Sequence, residues 1–166
     1  MIKAINGNKI IKFLISVAIP LVVGWLSSLA AGDIEGAYEA MMKPSFAPPS
    51  WVFPVVWGIL YTLMGISLYL VTKDGLNKPG VSDAIFYFAI SLILNFFWTP
   101  IFFKWKLILL ALIWLVVMII FAVITAYKFY NINEWAGYLW IPYILWLLFA
   151  LALNIAYYVL NGAVVR

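Results

Sequence analysis

Residues 107–127 read LILLALIWLVVMIIFAVITAY, a run without a single charged side chain. A helix of that length crosses the ~30 Å hydrocarbon core of a bilayer, which takes about 20 apolar residues. Lipid offers backbone N–H and C=O groups no water to bond, so such a run has to be helical. Outward from it, the same pattern recurs at residues 10–31, 51–71, 82–103 and 135–160. The expected architecture is all-α: an integral membrane bundle of five transmembrane helices, forming one domain over residues 1–166.

Composition points the same way. Apolar residues make up 67% of the 166 and charged residues 10%, against roughly half and a quarter in soluble domains. Cysteine and histidine are absent, which removes disulfides, thiolate chemistry and the commonest general base and metal ligand. The sequence therefore calls for neither metal nor cofactor. A net charge of +4 without a basic stripe argues against nucleic-acid binding and suits anionic headgroups. Residues 1–12 carry three lysines and run into an apolar stretch that continues for a full span, so a cleavable signal is not expected.

The joints between spans are short and rich in charge or helix breakers: Lys73-Asp74-Gly75 through Lys78-Pro79-Gly80, then Lys104-Trp105-Lys106, then Lys128 through Glu134. Short joints make sequential helices antiparallel neighbours. Lysines on the N-terminal side (Lys3, Lys9, Lys12, Lys73, Lys78, Lys128) outnumber Lys43, Lys104, Lys106 and Arg166 on the other by six to four, which puts the N-terminus in the cytoplasm. No span has an ionisable residue near its middle, unlike proton relays and ion pumps. In span 1, Pro20 removes a backbone bond near Ser16 and is expected to kink the helix. Gly24-x-x-x-Ser28 on the same span is a small-xxx-small pair suited to helix pairing.

The exception to short joints is residues 32–50. Pro44, Pro48 and Pro49 should hold its closing segment, Lys43–Trp51, stiff and extended, so that the loop serves as a lid rather than a disordered tract. Ser50 is the expected N-cap of span 2, and Pro54 falls in its first turn, where proline is tolerated.

Aromatic residues are 19% of the chain, nine of them tryptophan. Trp25, Trp105, Trp135 and Trp140 lie near span ends and read as an interfacial belt. Trp57, Trp98, Trp114 and Trp146 lie deeper, where an indole serves either core packing or a flat ligand. Helical spacing aligns Trp57, Tyr61 and Gly65 on span 2. It aligns Ser91, Asn95, Trp98 and Phe102 on span 3, and Trp146, Ala150, Leu153, Asn154 and Tyr157 on span 5. Asn95 and Asn154 should face the interior, either bonding between helices or contacting a ligand. The carboxylates Asp33, Glu35, Glu39, Asp74, Asp83 and Glu134 all fall in loops, so conventional acid–base or nucleophilic catalysis has little support. Indoles, phenols and two amides beneath a proline-stiffened loop suit a flat amphipathic molecule.

Four motifs carry a family resemblance: Lys43-Pro44-Ser45-Phe46-x-Pro48-Pro49-x-Trp51, Trp57-Gly58-x-x-Tyr61-x-x-Met64-Gly65, Leu94-Asn95-x-x-Trp98-x-Pro100-Ile101-Phe102-Phe103, and Pro142-Tyr143-x-x-Trp146-x-x-Phe149-Ala150-x-x-Leu153-Asn154. They occur in order over nearly the whole chain, which resembles the tryptophan-rich sensory protein / translocator protein (peripheral benzodiazepine receptor) family, in a bacterial member. The resemblance implies a five-span bundle, often a homodimer, in the cell membrane. It implies a receptor or sensor binding porphyrins such as protoporphyrin IX, and isoquinoline or benzodiazepine ligands, under the first loop. Carried over by motif, the ligand-binding residues are Tyr38, Pro48, Trp57, Asn95, Trp98, Trp146, Phe149 and Ala150. Light-dependent porphyrin degradation, with Trp57 and Trp146 as candidate catalytic residues, and porphyrin or lipid transport are the alternatives.

Two departures bear on this. Ala37-Tyr38 stands where the family often has Trp-Tyr, so one lid aromatic is missing. Tyr157 and Tyr158 are followed by no cation until Arg166, so the sterol motif at the end of span 5 is incomplete.

Overall fold

The computed structural model describes residues 2–161, with side chains from residue 9 onward. Lys3 and Arg166, two of the cations counted above, lie outside the described side chains. Five helices are long and apolar enough to cross a membrane: α1 (Ile2–Ala31), α3 (Val52–Thr72), α4 (Val81–Thr99), α5 (Ile108–Tyr130) and α7 (Ile141–Asn161). Two short helices, α2 (Ile34–Glu39) and α6 (Glu134–Tyr138), occupy joints, and no strand occurs among the described residues. The chain is a multi-pass integral membrane protein.

α1 packs along α3 and α4, α4 along α5, and α5 along α7. Glycine sets the α1–α3 distance. A Cβ on Gly65 would run into the Val17 backbone and stand 2.8 Å from the Ser16 carbonyl oxygen. That carbonyl is the one Pro20 deprives of its helical N–H. Gly24 likewise makes room for the Tyr61 ring, so the Gly24 end of the Gly24/Ser28 pair is used within the chain, against α3, while Ser28 stays exposed and bonds Gly24 O. The α3 and α7 backbones stay further apart, and aromatic rings meet between them: Trp57 with Tyr143 at 6.2 Å and Phe53 with Trp146 at 6.0 Å.

α4 runs on into a π-helical turn, Pro100–Lys104, which closes through Trp105 N–H donating to Pro100 O at 3.0 Å. Lys106 then reverses the chain with φ of 55°. Such turns recur at functional sites, and this one carries Phe102 and Phe103 beneath the first loop.

Ahead of the proline segment, where the sequence reading assigns only loop, α2 forms, capped by Asp33, whose carboxylate accepts from Gly36 N–H at 2.9 Å. Two expectations need correction. Ser50 is not the N-cap of α3. That place falls to Trp51, which makes no side-chain cap, and the Ser50 hydroxyl turns to Glu35 at 3.5 Å. Trp140 does not join the interfacial belt. It is fully buried, donates to Ser67 Oγ at 3.1 Å, and Ser67 donates on to Ala136 O at 2.7 Å. A buried indole N–H needs such a partner, and the break between α6 and α7 turns this one inward. Trp25, Trp105 and Trp135 are exposed, as a belt requires.

Candidate ligand site

Tyr38 on α2 is the keystone of the first loop. It is buried, and its hydroxyl donates to Pro48 O at 2.5 Å, binding the helical part of the loop to the proline part. Its ring meets Phe53 edge-on at 5.1 Å and Tyr157 at 6.1 Å, and Lys43 Nζ lies over it at 4.8 Å while pairing with Glu39. Near the middle of this loop Met42 exchanges two hydrogen bonds with Asn161, its N–H donating to Oδ1 and its carbonyl accepting from Nδ2, both at 3.0 Å.

Below the loop the tryptophans stand in pairs. Trp57 stacks on Tyr61, one turn on, at 5.3 Å and 28°. Trp98 stacks on Phe102 at 5.3 Å and 17° and meets Phe103 edge-on at 6.1 Å. Trp146 packs against Phe149 at 5.4 Å. The i, i+4 and i, i+3 spacings read from the sequence produce these contacts directly.

Two spaces adjoin this aromatic cluster. The smaller, ≈20 Å³, is bounded by Tyr38, Trp57, Trp98, Trp146, Phe149 and Ala150 of the expected set, together with Leu153, Asn154 and Tyr157. That is room for about one water-sized probe, so the cleft is closed. The larger, ≈450 Å³, lies on the other side of Trp57 and Trp98, between them and the upper part of α1. It falls within the ~300–1,000 Å³ typical of small-molecule sites. Tyr38, Phe53, Trp57, Trp98 and Phe103 form the wall common to both.

Two expected residues line neither space. Asn95 is buried, and its Nδ2 donates to Tyr143 Oη at 2.6 Å, joining α4 to α7. Pro48 contributes its carbonyl to Tyr38. The polar atoms that do face inward lack partners: Trp98 Nε1, both amide atoms of Asn154 and the Tyr157 hydroxyl are buried without a hydrogen bond, although Trp114 Nε1 bonds Leu94 O at 2.8 Å. Buried polar groups are rarely left unbonded, and Trp98, Asn154 and Tyr157 all border the closed cleft. Sequence reasoning missed Phe53, Phe103 and the larger space. Phe53 stands beside the first quoted motif and Phe103 ends the third, but which face they take depends on the helix start and the π turn, and neither is legible in one sequence.

Together these features define a class: a multi-pass α-helical membrane protein with an aromatic-walled chamber beneath its first loop. Residues 16–160 match the model of the TspO/MBR family. The chain is similar to the tryptophan-rich protein TspO of Chlorobaculum tepidum, 34% identical over 156 residues, 93% of this chain and 99% of that one. It is 37% identical over 117 residues to the tryptophan-rich sensory protein of Cereibacter sphaeroides, covering 70% and 72%. With the human translocator protein it shares 38% over 119 residues, covering 70% of each. The chain belongs to the TspO/MBR family, and membership supports a membrane sensor or translocator role.

Proposed function

We propose that this protein is a membrane receptor or sensor for porphyrins such as protoporphyrin IX, and for flat isoquinoline- or benzodiazepine-type ligands, held in the aromatic cleft under the first loop. The observation that carries the reading is the cleft itself. Trp57, Trp98 and Trp146 converge from three helices on one closed space whose bordering N–H, amide and hydroxyl groups are unbonded. A flat ligand entering between the rings would bond these groups and stack on the indoles, replacing ring–ring contact with ring–ligand contact of the same kind. Opening needs no new fold, because the larger space beside Trp57 and Trp98 can receive the displaced rings.

The test is a dark titration with protoporphyrin IX, read by tryptophan quenching, of the wild type and a Trp57→Phe/Trp146→Phe double variant. Saturable binding that weakens in the variant is expected. Equal binding by both, or none, would reduce the cleft to core packing. The reading also expects a homodimer. Its face would not be the Gly24/Ser28 stripe, which Tyr61 already covers at Gly24, and light scattering of the protein in detergent would give the subunit count.

A further inference from the structure

The larger space differs from the cleft in its electrostatics. It is floored by Tyr61 set against Gly24, walled by Trp57 and Trp98, and bordered at its open rim by Ser50 and the exposed Glu35 and Trp51. Glu35 is the one charged side chain lining it. Among the described residues Glu35 makes no ion pair; its carboxylate meets only the Ser50 hydroxyl, at 3.5 Å. The neighbouring acids are committed elsewhere: Asp33 caps α2, and Glu39 holds Lys43. Lys43 in turn lies over Tyr38, which leaves Glu35 without a cation from its own loop.

A carboxylate at the mouth of an apolar chamber favours positive charge, because low-dielectric walls focus its field. Indole and phenol rings add to this preference, since their faces attract ammonium groups. An anionic ligand meets the opposite: the carboxylates of a porphyrin would face Glu35 with like charge. We propose that the larger chamber is a second binding site, for an amphiphile that carries a protonated amine on an apolar body. Glu35 and Ser50 receive the ammonium group; Trp57, Tyr61 and Trp98 receive the apolar part. The site is independent of the porphyrin reading in chemistry, but it shares the Trp57–Trp98 wall with the cleft, so the two occupants compete.

The experiment titrates imipramine, a tricyclic amine, into the protein in nanodiscs of zwitterionic lipid, by calorimetry with empty nanodiscs subtracted. Carbamazepine serves as a neutral tricyclic control. Glu35→Gln is expected to weaken imipramine about tenfold or more, the loss that follows removal of one charge-assisted contact, and to leave carbamazepine unchanged. Ser28→Phe, which fills the chamber from α1, should abolish imipramine binding. Trp146→Ala, outside the chamber, should preserve it. Thermal melts and circular dichroism of each variant report on folding, and protoporphyrin IX titrated into the wild type and Glu35→Gln reports on the cleft. No saturable imipramine binding to the wild type would overturn the proposal. So would equal affinity in Glu35→Gln, or undiminished binding in Ser28→Phe, whatever the porphyrin titration shows.

Discussion

Ser27 Oγ on α1 donates a 2.8 Å hydrogen bond to the carbonyl oxygen of Phe96 on α4. Phe96 stands four residues before Pro100, which has no N–H to offer it, so the hydroxyl of one helix completes the backbone of another. Ser27→Ala should therefore destabilise the protein by about 1–2 kcal/mol, the cost of an unbonded buried acceptor. Ser28→Ala should do little, because Ser28 bonds its own helix at Gly24 O. Unfolding in detergent measures both. In a Pro100→Ala background, where the helical N–H is restored, Ser27→Ala should cost clearly less, and an unchanged cost would remove this account.

Gly65 and Gly58 lie two turns apart on α3 with opposite surroundings. A methyl on Gly65 meets α1 backbone, which cannot yield without separating the helices, whereas one on Gly58 meets nothing within 4 Å. Gly65→Ala should cost about 1–3 kcal/mol through overpacking. Gly58→Ala should be neutral or gain up to about 1 kcal/mol in helix propensity. Equal melting shifts for the two would contradict the packing described for α1 and α3.

Trp140 and Trp135 make a second contrast. Trp140→Phe breaks the relay through Ser67 to Ala136 O and leaves a void in a fully buried position; a loss of about 1–3 kcal/mol is expected. Trp135 is 72% exposed, and its replacement by Phe should leave stability within about 0.5 kcal/mol. Thermal melts of the two single variants settle the matter, with a blue-shifted emission component disappearing only in Trp140→Phe.

Trp98→Phe keeps a ring on Phe102 and Phe103 but deletes an N–H that bonds nothing in the protein. Stability should hold while protoporphyrin IX affinity falls several-fold. A variant that loses stability without losing affinity would show that the indole serves packing alone.

The sequence made some layers of this molecule legible and hid others. Hydropathy runs locate all five spans, because lipid solvation acts on each helix separately. Helical spacing correctly aligned Trp146, Ala150, Leu153, Asn154 and Tyr157, which together border the cleft. Longer-range choices were not legible. Trp140 has the same composition around it as a belt residue, and only the α6–α7 break and the distant Ser67 draw it inward. Asn95 was correctly placed inside, but its partner Tyr143 lies on another helix. The π turn that positions Phe102 and Phe103 begins at Pro100, a proline that marks an interrupted helix but not the kind of turn that follows it.

The pair of bonds between Met42 and Asn161 has a mechanical meaning. These residues stand 119 positions apart, yet they face one another as two ends of a clasp. The turn of α7 at Asn161 thus fastens the middle of the first loop, and lifting that part of the loop parts the clasp. Replacing Asn161 by alanine unfastens it. Ligand access compared between Asn161→Ala and the wild type reads how far that fastening limits the loop.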